Sequence, residues 1–159
     1  MVINKKMKAI DVELAVVRLF GYRQNLIIPN VSWGFSTLHY EADLVVVTKA
    51  GYAKEVEIKV SKYDLIKDKK KRHSHNFHKF KELYFAIPDH LLQYREHIPE
   101  RAGIISVIKS NGGFWACYER KAARNSANPL SNSERYELAR LGALRIWDLK
   151  RKLRTKTKQ

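Results

Sequence analysis

Residues Leu38-His39-Tyr40-Glu41-Ala42-Asp43-Leu44-Val45-Val46-Val47-Thr48 and Ala53-Lys54-Glu55-Val56-Glu57-Ile58-Lys59-Val60 form two extended runs around Lys49-Ala50-Gly51. Their even-numbered positions are mostly apolar: Ala42, Leu44 and Val46 on the first run, Val56, Ile58 and Val60 on the second. A three-residue turn at Lys49-Ala50-Gly51 pairs residues whose numbers sum to 100, so that Leu44 faces Val56 and Ala42 faces Ile58. A slip of one residue would scatter those apolar side chains over both faces. The same register sets Asp43 directly opposite Glu57 and puts Lys59 on the face of Glu57.

Two carboxylates facing each other across a strand pair repel. The plain reading is a solvated polar face on which Glu57 is bridged to Lys59 or Lys54. The other reading is a cation held between them. Glu13 favours the second. In the helical stretch 7–20, Met7, Ile10, Leu14 and Val17 recur at helical spacing and Gly21 supplies a stop. The polar strip of that helix holds Lys8, Asp11 and Arg18, and Glu13 projects roughly opposite it, among Ile10, Val17 and Phe20. An ionised Glu in an apolar stripe is costly without a cation or a polar pocket. A helix packed on the sheet would bring Glu13 to the Asp43–Glu57 pair. Hard oxygen donors without thiolates favour Mg²⁺ or Mn²⁺ over zinc.

Asp43, thirteen intervening residues and Glu57-Ile58-Lys59 resemble the PD-(D/E)XK nuclease signature on its expected hairpin, and Glu13 resembles the additional acid on the first helix of many members. The continuation Ser61-Lys62-Tyr63-Asp64-Leu65-Ile66-Lys67-Asp68, followed by Tyr84-Phe85-Ala86-Ile87-Pro88, is similar to the MmcB-like DNA repair nucleases and related phage proteins. The likeness covers roughly residues 7–90. The name-giving proline is missing, since Tyr40-Glu41-Ala42 precedes Asp43.

The resemblance implies an α/β, restriction-endonuclease-like core and metal-assisted hydrolysis of DNA phosphodiesters in repair, recombination or phage DNA processing. Catalytic residues would be Glu13, Asp43, Glu57 and Lys59. Metal ligands would be Asp43, Glu57 and the backbone carbonyl of Ile58, with Glu13 completing the first site or helping to hold a second ion. Three roles stay open to Lys59: orienting the attacking water, deprotonating it, or stabilising the pentavalent phosphorane. Two alternatives stand beside this reading. One is a catalytically inactive DNA- or RNA-binding module of the same fold; the other is a dimeric Holliday junction resolvase, for which a homodimer would be required.

Charge agrees with a polyanionic partner. The 159 residues carry 31 Lys and Arg against 16 Asp and Glu, a formal net charge of +15, and each cation near a phosphate releases a condensed counterion. The expected DNA contacts are Ser61, Lys62, Lys67, Lys69, Lys70, Lys71 and Arg72 around the second helix, and Lys150, Arg151, Lys152 and Arg154 in a basic C-terminal tail, 150–159, that follows a single domain, 1–149. Ser61 also reads as a helix N-cap, and Asp64 and Asp68 suit the start of a helix whose later residues are cations. His73, His75 and His78 lack zinc-helix spacing, and the single Cys117 removes both a disulfide framework and a thiolate zinc site. Cys117 and the three tryptophans, Trp33, Trp115 and Trp147, are expected in the core. No apolar run reaches membrane-spanning length and no leader stands out, so a cytoplasmic protein without a membrane partner is expected, and the resemblance implies a bacterial or phage origin.

The remaining elements follow from periodicity and turn chemistry. Strands are expected near 25–31, 83–87, 103–108 and 114–118, the last two joined by a type I′ turn at Asn111-Gly112-Gly113. Short helices are expected at 63–71 and 89–97, and a long one over 133–154, started by a Ser131–Glu134 capping box. The order αβββαβαββα predicts one mixed sheet flanked by helices.

Overall fold

In the computed structural model, which describes residues 6–35, 38–69 and 77–156, six strands form one sheet in chain order. The elements are α1 (Ala9–Leu19), β1 (Leu26–Val31), β2 (Ala42–Val47), β3 (Ala53–Ile58), α2 (Lys62–Lys69), β4 (Phe80–Pro88), a 3₁₀ helix (Asp89–His97), β5 (Gly103–Ser110), β6 (Gly113–Arg120) and α3 (Asn132–Lys156). Strands β1, β2 and β3 run antiparallel, β3, β4 and β5 parallel, and β5 and β6 antiparallel. Each parallel pair needs a crossover. The two crossovers contain α2 and the 3₁₀ helix. Residues 150–156 are the last turns of α3, so the long helix expected over 133–154 extends two residues further.

The β2–β3 hairpin has the expected register, with Leu44 on Val56 and Val47 on Ala53. The turn closes through the Thr48 N–H to the Tyr52 carbonyl, and Gly51 takes φ of 91°, a region open to glycine. Pairing stops at Leu44–Val56, so Ala42 and Asp43 are not paired with Ile58 and Glu57. The strands part there.

Both faces of the sheet are covered. Helix α1 lies over Leu44, Val46, Val56, Tyr84, Ala86, Ile105 and Val107. It does so through Val12, Ala15 and Val16, with Phe20 just past its end, whereas Ile10 and Leu14 are exposed. The buried stripe is therefore rotated from the one expected, because a sheet that extends to β6 draws in the Val12–Val16 side. On the opposite face one cluster joins Val45, Val47 and Ala53 to Leu138 and Leu141 of α3. A second joins Leu65 of α2 to Leu83, Phe85, Ile87 and the 3₁₀ residue Leu91. Glu55 lies between these clusters, registered against Val45 and Leu83.

The caps form as the sequence implies. Ser131 and Glu134 exchange backbone-to-side-chain hydrogen bonds of 3.2 and 2.8 Å at the start of α3. In the β5–β6 turn only the glycines have positive φ, 101° at Gly112 and 147° at Gly113, so the turn is not type I′, which needs a positive φ at both central residues. Trp115, Trp147 and Cys117 are exposed, not buried. Trp115 and Cys117 occupy odd positions of β6, the last strand of the sheet, and Trp147 lies in α3 beyond its buried Leu138 and Leu141.

A side chain at Gly103 would collide with the Tyr84 ring and approach the Ala122 nitrogen to 2.8 Å. Gly103→Ala should cost about 1–3 kcal/mol, as expected for overpacking of a closed core. Urea denaturation should show this as a lower midpoint at unchanged slope.

Candidate active site

The C-terminal end of β3 carries Glu57, Ile58 and Lys59 into the start of the crossover. Ligand sites in open α/β sheets form at the carboxyl ends of parallel strands. The Lys59 backbone N–H donates to the Ala86 carbonyl at 3.0 Å, so the β3–β4 ladder holds Lys59 past the end of the strand. From β2, the Asp43 Oδ2 accepts the Ile58 N–H at 2.8 Å. A carboxylate thus covers the donor that the parting strands would leave open.

Lys59 gathers the acids. Its Nζ lies 2.6 Å from Glu57 Oε2, 3.2 Å from Asp68 Oδ1 and 3.8 Å from Asp43 Oδ2. The side chains of Lys59, Glu57 and Asp68 are 9%, 2% and 4% exposed, against 35% for Asp43. Asp43 is therefore the member facing solvent. Burial by itself would lower the Lys59 pKa, but the charge and hydrogen bond of Glu57, with the charges of Asp43 and Asp68, hold it above its ordinary value. This lysine keeps its proton.

Glu13, on α1, is half-buried, and its pKa is raised by burial first and by the charge of Asp43 second. The electrostatic coupling links the helix acid to the strand pair. Asp43, Glu57 and Lys59 thus meet where β2 and β3 part, while Glu13 comes from the helix on the opposite face of the sheet and is joined to them only by the charge of Asp43. Glu57 is bridged to Lys59, while Lys54 pairs with Glu82 at 2.8 Å on β4. The bridge is buried, not solvated.

Among the described residues, no three Asp, Glu, His or Cys side chains are grouped so as to hold a metal ion as they stand. The donor chemistry nonetheless fits a hard cation. Asp43 and Glu57 already share one cationic group, and Mg²⁺ is commonly bound through one or two carboxylates with waters and substrate phosphates completing its shell.

Ser61 caps α2 by accepting the Asp64 N–H at 3.1 Å and donating to Asp64 Oδ2 at 2.7 Å. Lys62 and Lys67 are exposed on α2, as are Lys150, Arg151, Lys152 and Arg154 at the end of α3. Lys69 lies in the last turn of α2; Lys70, Lys71, Arg72, His73 and His75 lie outside the described residues. A cavity of about 1060 Å³ runs beside the 3₁₀ helix, lined by residues such as Leu92, Arg95, His97 and Arg101, and none of Glu13, Asp43, Glu57 and Lys59 lines it.

Two further groups belong to this region without standing out in the sequence. Asp68 reads there only as a helix-start charge; its i, i+4 spacing from Asp64 is the available signal, since it sets both acids on one face of α2. Glu55 is fully buried and accepts the Tyr40 hydroxyl at 2.9 Å. Burial, then the charge and hydrogen bond of Glu55, hold the Tyr40 phenol above its ordinary pKa. The signal for Glu55 is its period-2 spacing from Glu57 and Lys59.

No family model and no curated protein matches the chain. It is similar in structure to a protein of unknown function from Silicibacter pomeroyi, with a TM-score of 0.65 and 14% sequence identity over 96% of this chain and 95% of that one. At this identity the likeness is one of fold: a mixed six-stranded sheet flanked by helices. Among the described residues no helix is long and apolar enough to cross a membrane.

The raised pKa of Glu13 sets a pH dependence. As pH rises through the ordinary value of 4.5, the unfolded chain releases this proton before the folded one, so folding loses stability from this group. In metal-free buffer, Glu13→Gln should raise the urea midpoint above wild type near neutral pH. The increment should vanish as pH falls below 4.5, where both states are protonated.

Proposed function

We propose that the protein is a metal-dependent nuclease that hydrolyses phosphodiester bonds in DNA. The observation that supports this is the convergence of Asp43, Glu57 and Lys59 at one strand end, with Glu13 coupled to Asp43. A Mg²⁺ or Mn²⁺ ion would be held by Asp43 and Glu57, with the Ile58 carbonyl and Glu13 as further donors. When bound, it would supply a Lewis acid for the phosphate and a lowered pKa for water.

The chain's own groups divide the remaining work. Lys59, whose ammonium lies at the acids that would hold the ion, would place a positive charge beside the scissile phosphate or orient or deprotonate the attacking water. Asp43, the most exposed of the acids at the ammonium, is the group an incoming phosphate–cation pair would reach first. The Ile58 N–H fixes the Asp43 carboxylate before any ligand arrives. The exposed cations of α2 and of the α3 end would grip the phosphate backbone without reading bases. DNA repair, recombination or phage DNA processing inside the cell is the setting in which such an activity would serve.

One observation favours a second reading. The short Lys59–Glu57 contact gives Glu57 Oε2 a cationic partner without any metal, as a binding module of the same fold that no longer cleaves would require.

Digestion of supercoiled, linear and branched DNA with Mg²⁺ or Mn²⁺ separates the two. Wild type should cleave at least one substrate, and Asp43→Asn, Glu57→Gln and Lys59→Ala, each checked for folding by circular dichroism, should each lose at least about 100-fold in rate. Undiminished cleavage in folded variants would reject this active site. Binding without cleavage of any substrate would favour the module.

Replacing Lys150, Arg151, Lys152 and Arg154 together by alanine should weaken DNA binding regardless of sequence. The slope of log affinity against log salt should become shallower by about 0.9 for each phosphate that these cations no longer neutralise. Fluorescence anisotropy over a salt series measures this.

A further inference from the structure

We infer that Asp68 is a positioning residue that retains the Lys59 ammonium when Glu57 and Asp43 turn to a divalent cation. The inference rests on the metal-dependent nuclease reading and deepens it. It also accounts for the Ser61-x-x-Asp64-x-x-x-Asp68 pattern, to which that reading assigns no chemistry.

The geometry sets up a competition. The two acids offered as metal donors, Glu57 and Asp43, are also two of the three carboxylates around Lys59, at 2.6 and 3.8 Å. A divalent cation on those oxygens displaces or repels the ammonium. A lysine with no other anion nearby would swing into water, away from the scissile phosphate, or would cling to Glu57 and weaken metal binding. Asp68, 3.2 Å from Nζ, offers the alternative partner.

Asp68 is built for that task rather than for ligation. It comes from α2, not from the strands, and its side chain is only 4% exposed. The helix that carries it is anchored in its first turn. Ser61 and Asp64 lock the start through their reciprocal hydrogen bonds, and Leu65, 1% exposed, is seated among Leu83, Phe85 and Ile87. Lys62 lies over the Tyr94 ring at 4.5 Å, a further tie to the 3₁₀ helix. Asp68 follows Asp64 by one helical turn and therefore points from the same anchored face. A rigidly held anion behind a catalytic lysine fixes where its positive charge sits, much as outer partners orient metal ligands and change affinity or activity by about 10–100-fold when removed.

The test is a double-mutant cycle on the full chain, with Mn²⁺ binding read by calorimetry and DNA cleavage read separately. If Asp68 acts through Lys59, Asp68→Asn should weaken Mn²⁺ binding and lower kcat, each by about 10–100-fold, with KM for DNA little changed. In a Lys59→Met background the same Asp68→Asn change should leave Mn²⁺ affinity unaltered. A loss of equal size in both backgrounds would show a general electrostatic effect and overturn the inference, as would a folded Asp68→Asn protein with wild-type affinity and kcat.

A second measurement needs no variant. Reductive methylation of the wild type, read by mass spectrometry, should find Lys59 protected both without and with saturating Mn²⁺. Exposure of Lys59 on adding Mn²⁺ would overturn retention by Asp68. If the wild type binds no Mn²⁺ and cleaves no DNA, the nuclease reading falls and this inference with it. If it binds and cleaves while the cycle shows no dependence on Lys59, the inference alone falls.

Discussion

A lysine ammonium almost removed from water, against three carboxylates from three different elements, is the interaction around which this end of the molecule is organised. Taking such charges out of water costs several kcal/mol per ion, which only close pairing and further hydrogen bonds recover. The pairing at 2.6 and 3.2 Å joins β3 to α2, and the looser contact at 3.8 Å adds β2. The crossover that brings α2 over the sheet is therefore fixed by apolar packing at Leu65 and by charge at Asp68 together. The same residues serve the fold and the proposed chemistry, so substitutions here act on stability and on activity at once.

The two ends of β3 show why one acidic group is suited to react and another to hold the sheet. Toward its N-terminal end, Lys54 meets Glu82, whose oxygens also accept from Arg124 at 2.9 Å and from the Tyr84 hydroxyl at 3.1 Å. Burial would raise the Glu82 pKa, but these donors lower it. That node is closed: both oxygens are taken by side-chain donors. At the other end the strands part after Leu44–Val56, Asp43 turns to the Ile58 N–H, and a third of its side chain stays in contact with solvent. Divergence of the hairpin makes the opening.

The hairpin is legible in the sequence because a three-residue turn and a period-2 apolar pattern leave one sensible register, and Leu44 on Val56 follows from them. The meeting of Asp43, Glu57 and Lys59 near the strand ends is legible for the same reason. The alternation misleads in one respect. The odd face reads as polar, yet Val45 and Val47 bury there beneath α3, so Glu55 and Glu57 sit under protein instead of facing water. A strand covered on both faces presents apolar residues at consecutive positions, and Leu44-Val45-Val46-Val47 carries that message. Helix α1 stands where periodicity puts it but is rotated: Ile10 and Leu14 fit a helical stripe as well as Val12 and Val16 do, and only the extent of the sheet decides between them. The reach of Asp68 to Lys59 is beyond the sequence, because it depends on how the crossover lays α2 against the strands.

The distribution of positive charge follows from the same layering. Helix α3 packs through Leu138 and Leu141 on the sheet face that also carries α2, and its 25 residues span about 37 Å. Only its N-terminal part is buried, and the turns beyond carry exposed Lys150, Arg151, Lys152 and Arg154. Cations at a helix C-terminus are favoured by the helix dipole, which accounts for the last turn but decays within it. Arg151 lies earlier and pairs with Asp148 one turn back, whereas Lys150 on α3 and Lys62 and Lys67 on a different helix lie outside the reach of that dipole. The direction of α3 adds to this: Arg145 donates to the Asn30 carbonyl and Val31 pairs with Ala42, so the helix runs toward the side of the sheet on which β2 and β3 part, and its last cations follow in that direction.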